Sequence, residues 1–252
     1  MQLPWRWNGS TISLNLGVTW EMSAEIYTDG TYKALNPTWG QEDSPWKASQ
    51  ILPLLRAHGI EPTTVAEIGC GAGGVLASVV EGLSSVTEAE GWDVSPHAIE
   101  LAQRNVNDRL RFVVGDMLAT NREYELCLCI DVFEHTPDYL GFLRALRKRA
   151  QHFVFHIPLD MHCSAIMRDR HLSVRKSVGH LHYFSRATAL ATLADCGYKI
   201  SAERYTNGAM ARLGGHRGWK TDMVNILRML FSDGLSAKMF GGYSLLVLAS
   251  RE

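Results

Sequence analysis

The run Val65-Ala-Glu67-Ile-Gly69-Cys70-Gly71-Ala-Gly73-Gly74 most limits what this chain folds into. A short β-like stretch ends in closely spaced glycines, and Val75, Leu76, Val79, Val80 and Leu83 then recur at the spacing of one helix face. Strand, glycine turn and helix in immediate succession form half of a βαβ unit. Its glycines let the backbone approach a ligand, and the helix start offers N–H groups to it. The pattern then repeats. A second strand runs to Asp93, and Ser95 with Pro96 reads as N-cap and first helical residue ahead of Ala98, Ile99, Ala102 and Val106. Residues 111–114, 126–130 and 152–157 read as strands. Thr136-Pro137 repeats the cap-plus-proline start before Phe142, Leu143 and Leu146. Ser185 caps a helix with Ala187, Leu190, Leu193 and Ala194 inward, closed by Gly197, and residues 198–205 and 243–250 finish as strands. Such alternation with short connections predicts an α/β fold, an open doubly wound and mostly parallel sheet with helices on both faces. Ligands then belong at the carboxyl ends of the strands.

Three segments stand outside the repeat: residues 1–47, about 158–184 and about 206–241. Each is too long for a connection, so we read an N-terminal lid (1–47) and a main domain (48–252) carrying two insertions as substrate-side covers. The lid holds five of the seven Trp, at 5, 7, 20, 39 and 46. Of these, Trp39 and Trp46 read as packing residues beneath it. With 46% apolar and 20% charged residues the chain has the composition of a globular protein. Lys plus Arg number 25 against 26 Asp plus Glu, so no global field favours nucleic acid or an anionic membrane. A small-molecule partner is expected. The five Cys lack paired C-x-x-C spacing and read as buried thiols of a reducing compartment. No apolar run reaches the roughly 18 residues of a membrane span and no export signal is visible, so a cytoplasmic location is expected.

Asp93 lies 20 residues beyond Gly73, at a strand end where a carboxylate accepts both hydroxyls of a ribose. Gly69, Gly71 and Gly74 also satisfy G-x-G-x-x-G, which keeps a nicotinamide-dependent oxidoreductase open. Glu67 argues the other way: a carboxylate there repels a pyrophosphate and suits a cofactor bearing an amino group or sulfonium. Gly115-Asp116-Met117 ends the third strand, where an adenine amine would be met, and Asp131-Val-Phe-Glu134-His135 ends the fourth.

In this order the E-x-G-x-G-x-G loop, ribose acid, G-D and D-x-x-E-H pieces resemble the class I S-adenosylmethionine-dependent methyltransferases. The N-terminal stretch Asn36 to Lys47 looks like that of bacterial members, and His180-Leu-His182-Tyr183-Phe184-Ser185 is similar to the stretch after the fifth strand of many small-molecule methyltransferases. The resemblance implies a seven-stranded Rossmann-like sheet. It implies S-adenosyl-L-methionine lined by Glu67, Gly69, Cys70, Gly71, Gly73, Asp93, Val94, Asp116, Met117 and Asp131, and methyl transfer to an oxygen or nitrogen of a small molecule. An RNA methyltransferase and a non-catalytic cofactor-binding protein are the alternatives within the fold, the first opposed by neutral charge.

His182 and His135 are the candidate catalytic residues, with His182 as base. Ubiquinone-pathway and small-RNA 3′-end methyltransferases carry E-x-x-E-H metal ligands where this chain has Asp131, Glu134 and His135, a pattern extendable to His182. Because Asp131 is shorter than the glutamate it replaces, activity is expected to be independent of metal. Plainer readings stand beside these. Glu67 and Asp116 serve as turn caps, and Glu134 and His135 as local hydrogen-bond partners. His156, His162, His171 and His180 are then scattered surface residues, and Arg144, Arg147, Lys148 and Arg149 a solvated helix end.

Overall fold

A computed structural model describes residues 30–208 and 230–251. The expected Trp5, Trp7 and Trp20 of the lid, and most of the 206–241 insertion, lie outside the described residues. The seven strands are β1 (Thr64–Ile68), β2 (Glu88–Asp93), β3 (Leu110–Val114), β4 (Tyr124–Ile130), β5 (Ala150–Pro158), β6 (Tyr198–Thr206) and β7 (Ser244–Arg251). They form one sheet in the order β3-β2-β1-β4-β5-β7-β6. All pairs are parallel except those of β7, which runs antiparallel between β5 and β6. The order reverses between β1 and β4, so the loops leaving these two strands part to opposite faces and open a crevice there.

The strand sequences explain why the sheet is buried on both faces. In β4, Leu126, Leu128 and Ile130 enter one core while Cys127 and Cys129 enter the other. Leu246 and Leu248 of β7 do the same against Leu245, Val247 and Ala249. A near-continuous apolar strand is the expected reading for a layer covered on both sides. Each fully buried leucine or phenylalanine contributes about 1.5–3 kcal/mol.

Nine described helices or helical turns of α type surround the sheet: α1 (Thr31–Leu35), α2 (Ser44–Ala57), α3 (Gly74–Gly82), α4 (Pro96–Ala102), α5 (Tyr139–Leu146), α6 (Cys163–Ile166), α7 (Arg170–Val178), α8 (Arg186–Asp195) and α9 (Asp233–Phe240). Ser95 and Ser185 cap α4 and α8 as expected, the latter as a full capping box. Gly197 takes the left-handed conformation after α8.

Several local expectations need correction. Helix α5 starts at Tyr139 and is capped by Asp138, whose Oδ1 accepts the Gly141 N–H at 2.9 Å; Thr136 is extended because it ends a 3-10 turn over Phe133–His135. The buried face of α8 is Ala189, Thr192 and Leu193, whereas Ala187 and Ala194 are exposed. Cys163 is exposed, unlike the other four thiols. Arg147 and Arg149 are not simply solvated: they donate to the carbonyls of Gly197 at 3.1 Å and Leu118 at 2.9 Å.

Candidate active site

The glycine turn is held by the chain's own carboxylates. Glu67, on β1, is buried and its Oε2 accepts the Leu76 N–H at 3.0 Å. Asp93, at the end of β2, accepts the Gly71 N–H on Oδ2 at 2.9 Å and the Ser95 N–H on Oδ1 at 2.8 Å. Burial pushes the Glu67 carboxyl up to about 8, against the opposing pull of Lys47 and the Leu76 N–H. Asp93 is raised by burial too, with its two backbone donors opposing. Gly69 and Gly73 require φ +65° and +74°. A Cβ on Gly69 would lie 2.7 Å from Val132 Cγ2, so the turn after β1 closes directly on the loop after β4.

A cleft of about 680 Å³ opens over these loops. Gly69, Cys70, Gly71, Asp93, Val94 and Asp131 all border it, but Gly73 does not. Gly73 instead caps α3 in the left-handed conformation, packed where a Cβ would strike the Phe112 ring. Asp116 stands exposed at the cleft's edge; its Oδ1 accepts the Leu118 N–H at 2.8 Å, so the capping role is real and uses one oxygen. Met117 also borders the cleft, yet its side chain is fully buried in the core. The Cys70 thiol is buried, which raises its pKa well above the ordinary range.

On the β4 side of the cleft Asp131 follows the strand with φ +55°, a left-handed conformation that aspartate tolerates better than most residues. Both its oxygens are engaged. Lys47 Nζ donates to Oδ2 at 2.7 Å, and His156 Nδ1, at the end of β5, meets Oδ1 at 2.6 Å. His156 Nε2 lies 2.9 Å from the Thr206 hydroxyl. Burial opposes the Asp131 charge, but His156 and Lys47 outweigh it and hold the carboxyl well below the usual range. Lys47 sits at the start of α2, so it brings the N-terminal segment into the site.

A second cluster adjoins the first. The backbone carbonyl of Glu134 accepts the N–H groups of Leu181 and His182 at 2.8 and 3.0 Å, which pins the chain after α7 beside the Phe133–His135 turn. Glu134, His135 and His180 thereby offer ligand atoms within 4.8 Å of one another. The Glu134 carboxylate is buried, and neither oxygen accepts a hydrogen bond from another described residue. Burial, then the neighbouring Asp131, raise its pKa far above the carboxylate range. Burial and His180 lower His135 to about 4, so its imidazole is neutral at pH 7. His180 Nδ1 lies 2.5 Å from Asp160 Oδ2.

These positions change the assignment of the histidines. His182 does not join the cluster: its Nε2 faces the carbonyls of Thr136 and Pro137 at 3.1 and 3.3 Å, and it does not border the cleft. Nor is Asp131 among the clustered ligands, because Lys47 and His156 occupy it. His135 and His180 border the cleft instead. His156, His162 and His180 are buried, contrary to the reading of scattered surface residues. Lys47, His156 and His180 are the site residues that sequence reasoning passed over. Lys47 closes the N-terminal stretch whose resemblance was noted, and His180 is two residues from the histidine that was chosen.

Residues 41–203 match the model of a methyltransferase-domain family. The chain belongs to that methyltransferase family. A ubiquinone biosynthesis O-methyltransferase of Bordetella bronchiseptica is 27% identical over 128 residues, covering 45% of this chain and 52% of the relative, so the chain spans about half the length of the curated relative it matches. Among solved structures, the N-methyltransferase NodS of Bradyrhizobium japonicum, in complex with S-adenosyl-L-homocysteine, superposes with a TM-score of 0.56 at 18% identity, over 88% of this chain and 99% of NodS. Magnesium protoporphyrin IX methyltransferase of Synechocystis, with the same ligand bound, gives 0.56 at 16% identity, over 82% and 83% of the two chains. The shared fold is the one expected for the class I methyltransferases, and the sheet order agrees with it. Among the described residues, no helix is long and apolar enough to cross a membrane.

Proposed function

We propose that this chain transfers a methyl group from S-adenosylmethionine to an oxygen or nitrogen of a small molecule. The observation that carries the reading is what the glycine turn shows to a ligand. The Gly71 N–H of the turn is taken by Asp93 and the Leu76 N–H of helix α3 by Glu67, so these donors are spent where a pyrophosphate would need them bare. Carboxylates there suit a ribose diol and the cationic methionine end of the cofactor. The N-terminal segment supports a lid role, since Asn36 Nδ2 donates to the Ser177 carbonyl of α7 at 3.2 Å.

When bound, the cofactor supplies a methyl group carried on a sulfonium. The chain's own part is alignment of the acceptor and removal of one proton if the acceptor is a hydroxyl. His135 replaces His182 as the candidate to take that proton, being neutral and on the cleft wall. Tyr32, Trp39, Pro158 and Val178 border the same cleft and give it an apolar side for the acceptor.

Calorimetry with S-adenosylhomocysteine and with NAD tests the reading: the first is expected to bind and the second not. Asp93→Ala should lower the affinity at least tenfold, because charge-assisted hydrogen bonds to the ribose contribute about 1.5–3 kcal/mol each. Binding of NAD in place of the thioether would end the proposal. Glu67 gives a second expected result. With its pKa near 8 it is largely protonated at pH 7 in the free protein, and a cationic ligand beside it favours the ionised form. Binding at pH 7 should therefore release a proton, read from the dependence of binding heat on buffer ionisation enthalpy, and Glu67→Gln should remove that dependence.

A second reading concerns metal. The Glu134 carboxylate, which accepts no hydrogen bond from another described residue, forms with His135 and His180 a carboxylate-and-imidazole set of a kind that holds zinc or manganese. A cation there would acidify an acceptor hydroxyl, and thermal denaturation with added metal tests for it.

A further inference from the structure

We propose that helices α6 and α7 form a docking face for an anionic lipid bilayer, which seats the protein on a membrane surface without crossing it. The face lies outside the cleft and is independent of the methyl-transfer reading.

It comes from the 158–184 insertion. The end of α7 and the residues after it reach the cleft at Val178 and His180, but residues 166–176 do not border it. Helix α7 contains no buried residue, and a helix of nine residues is marginal by itself in water. Polar contacts hold it: His171 Nε2 lies 3.0 Å from the Asp160 carbonyl, and the Tyr183 hydroxyl donates to the His171 carbonyl at 2.8 Å. Folding leaves the apolar side chains around its start in water. Met167 is 85% exposed, Leu172 61% and Ile166 59%. Single exposed apolar residues are ordinary, but these three follow closely in the chain, and α9, packed beside α6, exposes Leu235 and Met239 as well.

Charge decides what covers them. The chain is balanced overall, yet Arg168, Arg170, Arg175 and Lys176 are all exposed in this short stretch, against Asp169 alone. Among the described residues none of the four cations has a carboxylate partner. Arg175 and Lys176 follow Leu172 by three and four positions, which makes them its neighbours on the helix surface. Cations flanking protruding apolar side chains suit the headgroup boundary, where guanidinium and ammonium groups meet lipid phosphate while the apolar tips enter the acyl layer. Other occupants fit less well. A second copy would bring like charges together across a two-fold axis. Nucleic acid would use the cations and leave Met167 and Leu172 in water. A protein partner needs a fixed complementary shape, which a methionine so far out of the surface does not present, whereas a fluid bilayer needs none.

The test mixes the full chain with vesicles of phosphatidylcholine alone and of an equal mixture with phosphatidylglycerol, and reads the bound fraction by co-sedimentation. Binding to the mixed vesicles should be tighter by about tenfold or more, and should weaken as salt is raised. Met167→Ser with Leu172→Ser should lose about tenfold or more in affinity for the mixed vesicles, and so should Arg175→Glu with Lys176→Glu. All four side chains are exposed, so Tm should stay at the wild-type value in both double variants. Should the serine pair melt early, Met167→Ser alone gives the same comparison. A wild type that stays in solution with the mixed vesicles overturns the proposal, and sedimentation velocity then shows whether a second copy takes the face. Binding that neither double variant weakens overturns it too, because the contact would lie elsewhere. So does binding that survives the serine substitutions, since charge attraction alone would then suffice.

Discussion

Asp131→Ala is expected to destabilise the fold by about 3 kcal/mol, which for a chain of this length lowers Tm by roughly 6–12 °C. The carboxylate neutralises Lys47 and accepts from His156, and both partners sit where water reaches them poorly. Its removal leaves an ammonium without its counter-ion. Alanine also tolerates the left-handed backbone at this position less well than aspartate, at a cost of about 1 kcal/mol or more. Asp131→Asn keeps the backbone preference and one acceptor oxygen, so its loss should be about half as large. Calorimetric melting of the two variants and of Lys47→Met separates the contributions. The double variant Lys47→Met with Asp131→Ala should be less destabilised than the sum of the singles, because each single strands the other's charge. Additive losses, or a Tm within 2 °C of the wild type for Asp131→Ala, would show that the pair does not anchor the loop.

That network also shows where the sequence was legible and where it was not. Glu67, Gly69, Gly71 and Asp93 were readable because one βαβ unit contains them. Their spacing is fixed by a strand, a turn and a helix that follow without interruption, and the structure joins them by hydrogen bonds spanning nine and 22 positions. Lys47 and His156 meet Asp131 across 84 and 25 positions, from a helix before the sheet and a neighbouring strand. Such contacts depend on sheet order, which no local period encodes. His180 was missed for a smaller reason. The segment from His180 to Ser185 lies beside the Phe133–His135 turn, where the carbonyl of Glu134 pairs with the N–H groups of Leu181 and His182, and that pairing turns His180 toward the cluster and His182 toward Thr136. Helix α8 was misphased because alanines occupy most of its faces, so the apolar stripe has two solutions. The cap at Ser185 was right in both. For α5 the Thr136-Pro137 signal was outcompeted by Asp138, whose carboxylate reaches the Gly141 N–H.

Addition of zinc or manganese to metal-free protein is expected to raise Tm by roughly 5–10 °C at a hundredfold excess over Kd, a stabilisation of about 2.7 kcal/mol. The expectation reverses the metal-independence inferred from Asp131, and it does so without Asp131. Three ligand atoms, from Glu134, His135 and His180, lie within 4.8 Å of one another, close enough that small side-chain rotations bring them onto one ion. Asp160 engages His180 Nδ1, which leaves Nε2 as the ligand atom and gives it the carboxylate support typical of metal-bound imidazoles. The Glu134 carboxylate has no hydrogen bond from any other described residue, an arrangement that costs free energy unless a cation or a proton satisfies it. Substitution separates these two. If a metal occupies the set, Glu134→Gln and His180→Ala should each abolish the metal-induced rise in Tm, and a chelator should reverse it in the wild type. If a proton alone satisfies Glu134, none of the metals shifts Tm and Glu134→Gln, which presents the same shape without charge, melts within about 2 °C of the wild type. His182→Ala serves as the control, since its ring is committed to the carbonyls of Thr136 and Pro137 and the metal response should survive its loss.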